Sequence, residues 1–247
     1  MTFGKGRDGL IEQTPQEVMY EERYSGQRWL IDYPNKIKNS FYQIFEKQMK
    51  ELKSEYLKKH KEYQSLNKKD PYDHLNFAYY DINYKDQLFA LSEMNIIYIF
   101  KEFEINLKLL LKKVYDNDDK SLHNWDKLKS YFKSKKISIS EIDDYEEMRQ
   151  LKELNNHLKH SSRKISDKIK NIKEFKGEHI LTEEMINEFF ERIKTSPITF
   201  LSSIINLIYE DLYEFDEVKI KEMAKKVAKR MDKKDAKLYW EEIQKYY

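Results

Sequence analysis

Apolar residues recur along most of this chain at intervals of three, four and seven, the spacing of helices with one buried face. From Phe41 the set Phe41, Phe45, Met49, Leu52, Tyr56, Tyr63 and Leu66 keeps this rhythm with Lys and Glu between, which predicts a long amphipathic helix. Asp70-Pro71-Tyr72-Asp73 stops it and caps the next helix. Residues 89–114 are apolar around most of the helical circumference and predict the central helix of a bundle. A polar break at 116–120 precedes Leu122, Trp125, Leu128 and Phe132, and a strongly apolar helix begins at Ser196-Pro197, carrying Leu201, Ile204, Ile205, Ile208, Leu212 and Phe215.

Helix starts are written into the polar residues between these runs. Thr14-Pro15-Gln16-Glu17 combines an N-cap, a proline at the first helical position and a Glu three residues after the cap, and predicts a short helix to about Tyr24, ending near Gly26. Ser140-Glu141-Ile142-Asp143 reads as a second capping box opening a helix through His160, and Thr182-Glu183-Glu184 caps another. Residues 219–237 carry nine Lys and Arg against three acids, with Met223, Val227, Met231 and Leu238 as a thin apolar stripe. The one strand-like alternation, Lys136-Ile137-Ser138-Ile139, is too short to count. The fold class is therefore all-α, a bundle of about seven to nine helices behind a flexible N-terminal arm containing Gly4, Gly6 and Gly9. The expected division is an arm and short helix at 1–35, a long amphipathic helix and connection at 36–84, a helical bundle at 85–215 and a basic C-terminal helix at 216–247.

Composition narrows the classes. Charged residues make up 36%, a level at which a chain poor in aromatics would not fold, but 19 Tyr, 13 Phe and 3 Trp supply large buriable surfaces. The absence of Cys excludes a disulfide scaffold, a thiolate zinc site and a cysteine nucleophile, and fits a reducing cytoplasm. The longest unbroken apolar stretch runs from Ile96 to Phe100, far below the ~20 residues that span a bilayer, so no membrane association is expected. With a net charge of +2, any nucleic-acid site must be a local patch. No glycine-rich loop is present, and the His residues show no HExxH pair; His157 and His160 stand three apart with Glu153 the one carboxylate near ligand register, so no metal and no cofactor is expected.

The chemistry concentrates in residues 144–164, DYEEMRQLKELNNHLKHSSRK. At roughly 100° per residue, Met148, Leu151, Leu154, Asn155 and Leu158 fall within about 120° and face inward. On the other flank Lys152, Asn156 and His160 come at i, i+4 and i+8 with Lys159 and Arg149 beside them, five nitrogen-bearing side chains within about 100°. Such a ridge holds a phosphate and moves a proton: His titrates near neutrality, Lys and Arg stabilise charge on a phosphoryl oxygen, and Asn orients a hydroxyl or the imidazole. The same spacing also describes a solvated polar face whose C-terminal His and Lys complement the helix dipole.

The run LKELNNHLKHSS resembles the signature helix of the HEPN superfamily, all-α domains common in bacterial toxins and phage-defence proteins. A frequent form of that motif, Arg, three residues, Asn, two residues, Lys-His, maps onto Lys152 in the Arg place, Asn156, Lys159 and His160. An apolar helix with an embedded acid, here Phe103-Glu104, and a Trp-x-x-Leu element, here Trp125 to Leu128, precede it in the order such proteins show. The resemblance covers roughly residues 85–215. It implies metal-independent RNA cleavage in which a 2′-hydroxyl attacks the adjacent phosphate, with His160 as general acid/base, Asn156 as positioner, and Lys152 and Lys159 neutralising the phosphorane. It further implies a homodimer, since such sites are completed by a second protomer, and a cognate antitoxin or defence-system partner.

The family's nucleases place an Arg directly before the Asn, where this chain has Asn155, so the positive charge falls to Lys152 or Arg149. Glu104 is a candidate partner for either cation across the bundle, and would then set the ionisation of His160. The alternative to a nuclease is a non-catalytic helical interaction module that holds a partner protein or nucleic acid with the same ridge or with the basic C-terminal stretch.

Overall fold

The computed structural model describes residues 14–37, 42–66, 70–160 and 163–247; the N-terminal arm with Gly4, Gly6 and Gly9, the start of the long helix at Phe41, and Ser161 and Ser162 lie outside them. The described residues form nine α-helices: α1 (Pro15–Ile37), α2 (Tyr42–Gln64), α3 (Pro71–Tyr115), α4 (Trp125–Ser134), α5 (Tyr145–Lys159), α6 (Glu183–Ile193), α7 (Ser196–Tyr213), α8 (Glu217–Ala228) and α9 (Lys233–Gln244). Among the described residues there is no sheet, only an isolated antiparallel bridge between Lys164 and Ile180. The chain is an all-α helical bundle. No described helix is long and apolar enough to cross a membrane. Two compact units divide it, Pro34–Leu207 and a smaller one that joins the chain up to Tyr33 with Ile208–Tyr247.

The larger unit is built on α3, 45 residues long. Asp70 and Asp73 cap each other's backbone N–H groups at 2.8 and 3.3 Å, and Pro71 at the first position needs no hydrogen-bond partner. No Gly or Pro interrupts 72–115, so the helix continues across position 85, where the sequence pattern placed the start of the bundle. It ends where Asp116 turns left-handed, φ 48°, and its N–H returns to the Leu111 carbonyl. Its first half pairs with α2 through stacked rings: Tyr56 on Tyr84 at 3.8 Å and Tyr63 on Phe77 at 4.2 Å. From Leu88 onward it buries Leu88, Ile96, Ile99, Phe100, Phe103, Leu107, Leu110 and Leu111. The burial is less complete than the apolar sequence predicts, because Met94, Tyr98, Ile105 and Leu109 remain exposed on one flank.

Against α3 pack α4, α5, α6 and the first part of α7, whose Leu128, Phe132, Met148, Leu151, Phe189 and Phe200 are almost fully buried. Trp125, Phe103, Tyr145 and Phe200 form one aromatic cluster, with Trp125 centroids 6.1–6.3 Å from the other three. Helix α5 does not begin at the expected capping box. Ile139 and Ile142 turn into the core, Ser140 lies in a short 3₁₀ turn, and the helix starts at Tyr145 behind Asp144, whose φ is 62°. The Asp144 carboxylate accepts from the Ser196 hydroxyl at 3.0 Å, which ties the starts of α5 and α7.

In the smaller unit α1 opens on the predicted box, Thr14 with Glu17, at 2.8 and 3.3 Å. It runs well past Gly26, because a glycine within a helix costs only about 1 kcal/mol. At Gly26 the bare backbone meets the Tyr213 hydroxyl, where a methyl group would collide. The basic stretch expected as one helix is two: α8 ends near Lys229, and Asp232 caps α9 by accepting from the N–H groups of Lys234 and Asp235 at 2.8 and 2.9 Å.

Candidate functional site

The ridge stands on α5, whose inward face is anchored by the buried Met148, Leu151, Leu154, Asn155 and Leu158. That leaves Asn156, Lys159 and His160 exposed on the last turn, with Lys152 half-exposed one turn earlier. Lys152 is held over the Trp125 ring, its ammonium 5.8 Å from the centroid. The cation is thereby placed by the aromatic cluster below it. Among the described residues neither the Lys159 ammonium nor the His160 ring makes a hydrogen bond or ion pair, so both are available to a ligand. His160 caps the helix, its N–H bonded to the carbonyls of His157 and Leu158.

The other candidates are occupied. Arg149 donates two bonds to the Glu146 carboxylate at 2.6 and 2.8 Å. These bonds hold Arg149 above and Glu146 below their ordinary ranges. Glu104 does not reach across the bundle as a partner for Lys152 or Arg149: its ion pair is with Lys101 on the same helix, at 3.8 Å. Geometry explains the difference, since an i, i+3 pair forms without crossing the apolar layer of Phe100, Phe103 and Trp125 that lines the small pocket beside Glu104.

Asn155, at the position before Asn156, is fully buried. Its amide donates to the Asn156 side-chain oxygen at 3.4 Å, and its own oxygen has no partner among the described residues. The arrangement orients Asn156 from behind.

Three residues off the ridge make contacts around it: His157, which the sequence offers only as half of a metal-spaced pair, and Arg192 and Arg163, which its pattern does not single out. His157 is half-buried and shares a hydrogen bond with Ser166 at 3.2 Å, pinning the chain that leaves α5. Arg192 on α6 donates to Glu174 at 2.6 and 3.0 Å and to Gln150 on α5 at 2.8 Å. Burial pushes the Glu174 carboxyl upward, but its hydrogen bonds to Arg192 and to a backbone N–H, with the charges of Arg192 and Lys173, together outweigh it and the net shift is downward. Arg163 lies over the Phe89 ring at 4.1 Å and donates to Asp86 at 2.8 Å. Nearby Glu93 is pushed up by burial, against the pull of Arg163. No spacing rule predicts these contacts, since each joins residues that do not share a helix. Among the described residues no three of His, Asp and Glu converge as metal ligands.

The chain matches no protein-family model, no curated protein and no solved structure.

Proposed function

We propose that this is a HEPN-like protein that cleaves RNA without a metal, in phage defence or a toxin system, with the α5 ridge as half of its site. One observation carries the reading: Asn156, Lys159 and His160 project together from the last turn of α5, beside a Lys152 fixed over Trp125. His160 moves the proton between the 2′-hydroxyl, the phosphate and the leaving 5′-oxygen; Asn156 orients it; Lys152 and Lys159 face the charge that develops on the phosphoryl oxygens. The 2′-oxygen bonds to phosphorus, the bond to the 5′-oxygen breaks, and the products end in a 2′,3′-cyclic phosphate and a 5′-hydroxyl. A second copy completes the cleft with its own ridge, which makes the active form a homodimer.

A second reading has its own support. Asn155 is buried where the family's nucleases carry Arg, and Arg149 is paired with Glu146, which among the described residues of α5 leaves Lys152 as the cation toward the start of the ridge. On that reading the chain is a binding module that holds RNA or a partner protein without cutting. Analysis of RNA 3′ ends after incubation with the full chain in EDTA separates the two: cyclic phosphate termini support cleavage, and intact RNA that stays bound supports the module.

A further inference from the structure

The smaller unit carries a second concentration of cations that the α5 ridge does not use. Four of the basic side chains of α8 and α9 are already engaged. Lys219 donates to the carbonyls of Glu210, Asp211 and Glu214 at the end of α7, Lys221 pairs with Glu217 at 3.1 Å, Lys237 with Glu241 at 3.6 Å and Lys245 with Glu242 at 2.6 Å. Six others, Lys225, Lys226, Lys229, Arg230, Lys233 and Lys234, fall within ten residues around the turn between the helices. All six are exposed, and among the described residues none is in an ion pair. Of the two acids next to these cations, Asp232 is turned into the helix cap of α9 and Asp235 follows Lys234 in its first turn.

We infer that this elbow binds the phosphate backbone of a nucleic acid, with Trp240 as a stacking surface for a base. Trp240 is 59% exposed. It lies seven residues beyond Lys233, so at roughly 100° per residue the indole and that ammonium lie within about 20° of each other round α9. Cations that track a backbone beside an exposed ring are the parts of a single-strand binding surface. A lipid surface fits less well. On α8 Lys225 lies roughly 140–160° round the helix from the exposed Ile220 and Met223, so a bilayer that took those apolar residues would leave that cation off its surface.

The experiment is fluorescence anisotropy of a labelled single-stranded oligoribonucleotide with the full chain carrying His160→Ala, so that cleavage does not intrude, and the change made by the elbow variants in that background is read apart from any binding by the α5 ridge. Binding at the elbow gives a plot of log K against log salt with a slope near about −4 if all six cations engage single-stranded phosphates. The quadruple variant K225Q/K226Q/K229Q/R230Q flattens that slope by about 3 and weakens binding at least about tenfold at moderate salt. Trp240→Ala weakens it roughly fivefold or more. Far-UV circular dichroism checks that the quadruple variant is folded; if it is not, the four single Gln variants read the same quantity, about 0.7 of slope each. An unchanged slope and affinity in these variants overturns the proposal, as does binding to phosphatidylserine vesicles with none to RNA. Loss of cleavage by His160→Ala with the elbow slope intact supports both sites; RNA binding at the elbow with no cleavage by the unaltered ridge supports the elbow and removes the α5 proposal.

Discussion

Arg192→Ala is the sharpest test of how α5 is held. The guanidinium joins α6 to the 173–175 turn through Glu174 and to α5 through Gln150, three hydrogen bonds in all, at 2.6, 3.0 and 2.8 Å. The Glu174 side chain is 7% exposed and that of Arg192 is 28% exposed. Removing the cation therefore strands a carboxylate that water barely reaches. Breaking a fully buried pair costs about 3–5 kcal/mol, and the partial exposure of Arg192 moves the expectation to about 2–3 kcal/mol. In a chain of this size that lowers the melting midpoint by roughly 4–12 °C at neutral pH. The pH dependence comes from the direction of the Glu174 shift. Its folded pKa lies below the ordinary value of 4.5, so the stabilisation is present above that value and is lost as pH falls through the folded pKa. In the variant burial is no longer opposed by the Arg192 hydrogen bonds and charge, so the same carboxyl protonates more readily and the gap between the two proteins narrows in acid. Thermal melts by circular dichroism, compared at neutral pH and near pH 3, read both effects. A midpoint within about 1 °C of the parent at neutral pH, or a gap as wide in acid as at neutrality, would show that Arg192 does not hold Glu174 and α5 in this way.

Three further outcomes are expected from the packing. Phe200→Ala empties the centre of the Trp125–Phe103–Tyr145 cluster at a site with no exposure and costs about 3–5 kcal/mol, read by urea titration; a loss under about 1 kcal/mol contradicts the cluster's role. Asn155→Leu replaces a buried oxygen that has no partner among the described residues and raises the melting midpoint by about 2–4 °C, whereas a lower midpoint means that oxygen is satisfied. The Tyr56 phenol is pushed up to about 12, first by its hydrogen bond to Asp81 at 2.7 Å and then by burial, so stability present below the unfolded value of 10.0 is lost as pH climbs from there toward 12. Tyr56→Phe reduces that alkaline loss in urea midpoints, and an unchanged loss assigns it to other tyrosines.

Much of the architecture is legible from local signals. Caps at Thr14, Asp70 and Thr182, and the start at Ser196, act over three or four residues and appear in the structure where the sequence puts them. The differences arise where a tertiary force overrides a local one. Ser140-Glu141-Ile142-Asp143 has the form of a cap, but burying Ile139 and Ile142 releases more free energy than the cap does, and α5 starts later at Tyr145. The split of the basic stretch is readable in Asp232 with Asp235 three residues on, a cap pattern hidden among lysines. At the site, helical spacing alone places Lys152, Asn156, Lys159 and His160 on one flank and Asn155 on the other. Spacing carries no information about Arg163, Arg192 or Trp125, because their contacts with Asp86, with Glu174 and with Lys152 join segments far apart in the chain.

Cleavage at the α5 ridge requires His160 to act as an acid/base group while contributing nothing to packing. The direct measurement is the rate of RNA cleavage in EDTA by His160→Ala relative to the unaltered chain, with melting midpoints taken on the same preparations. The expected result is a loss of about 10²–10⁴-fold with the midpoint unchanged, since the side chain is exposed at the end of α5. A rate within about threefold of the parent, or a loss that tracks a fallen midpoint, contradicts catalysis by His160 and leaves the ridge as a structural or binding surface.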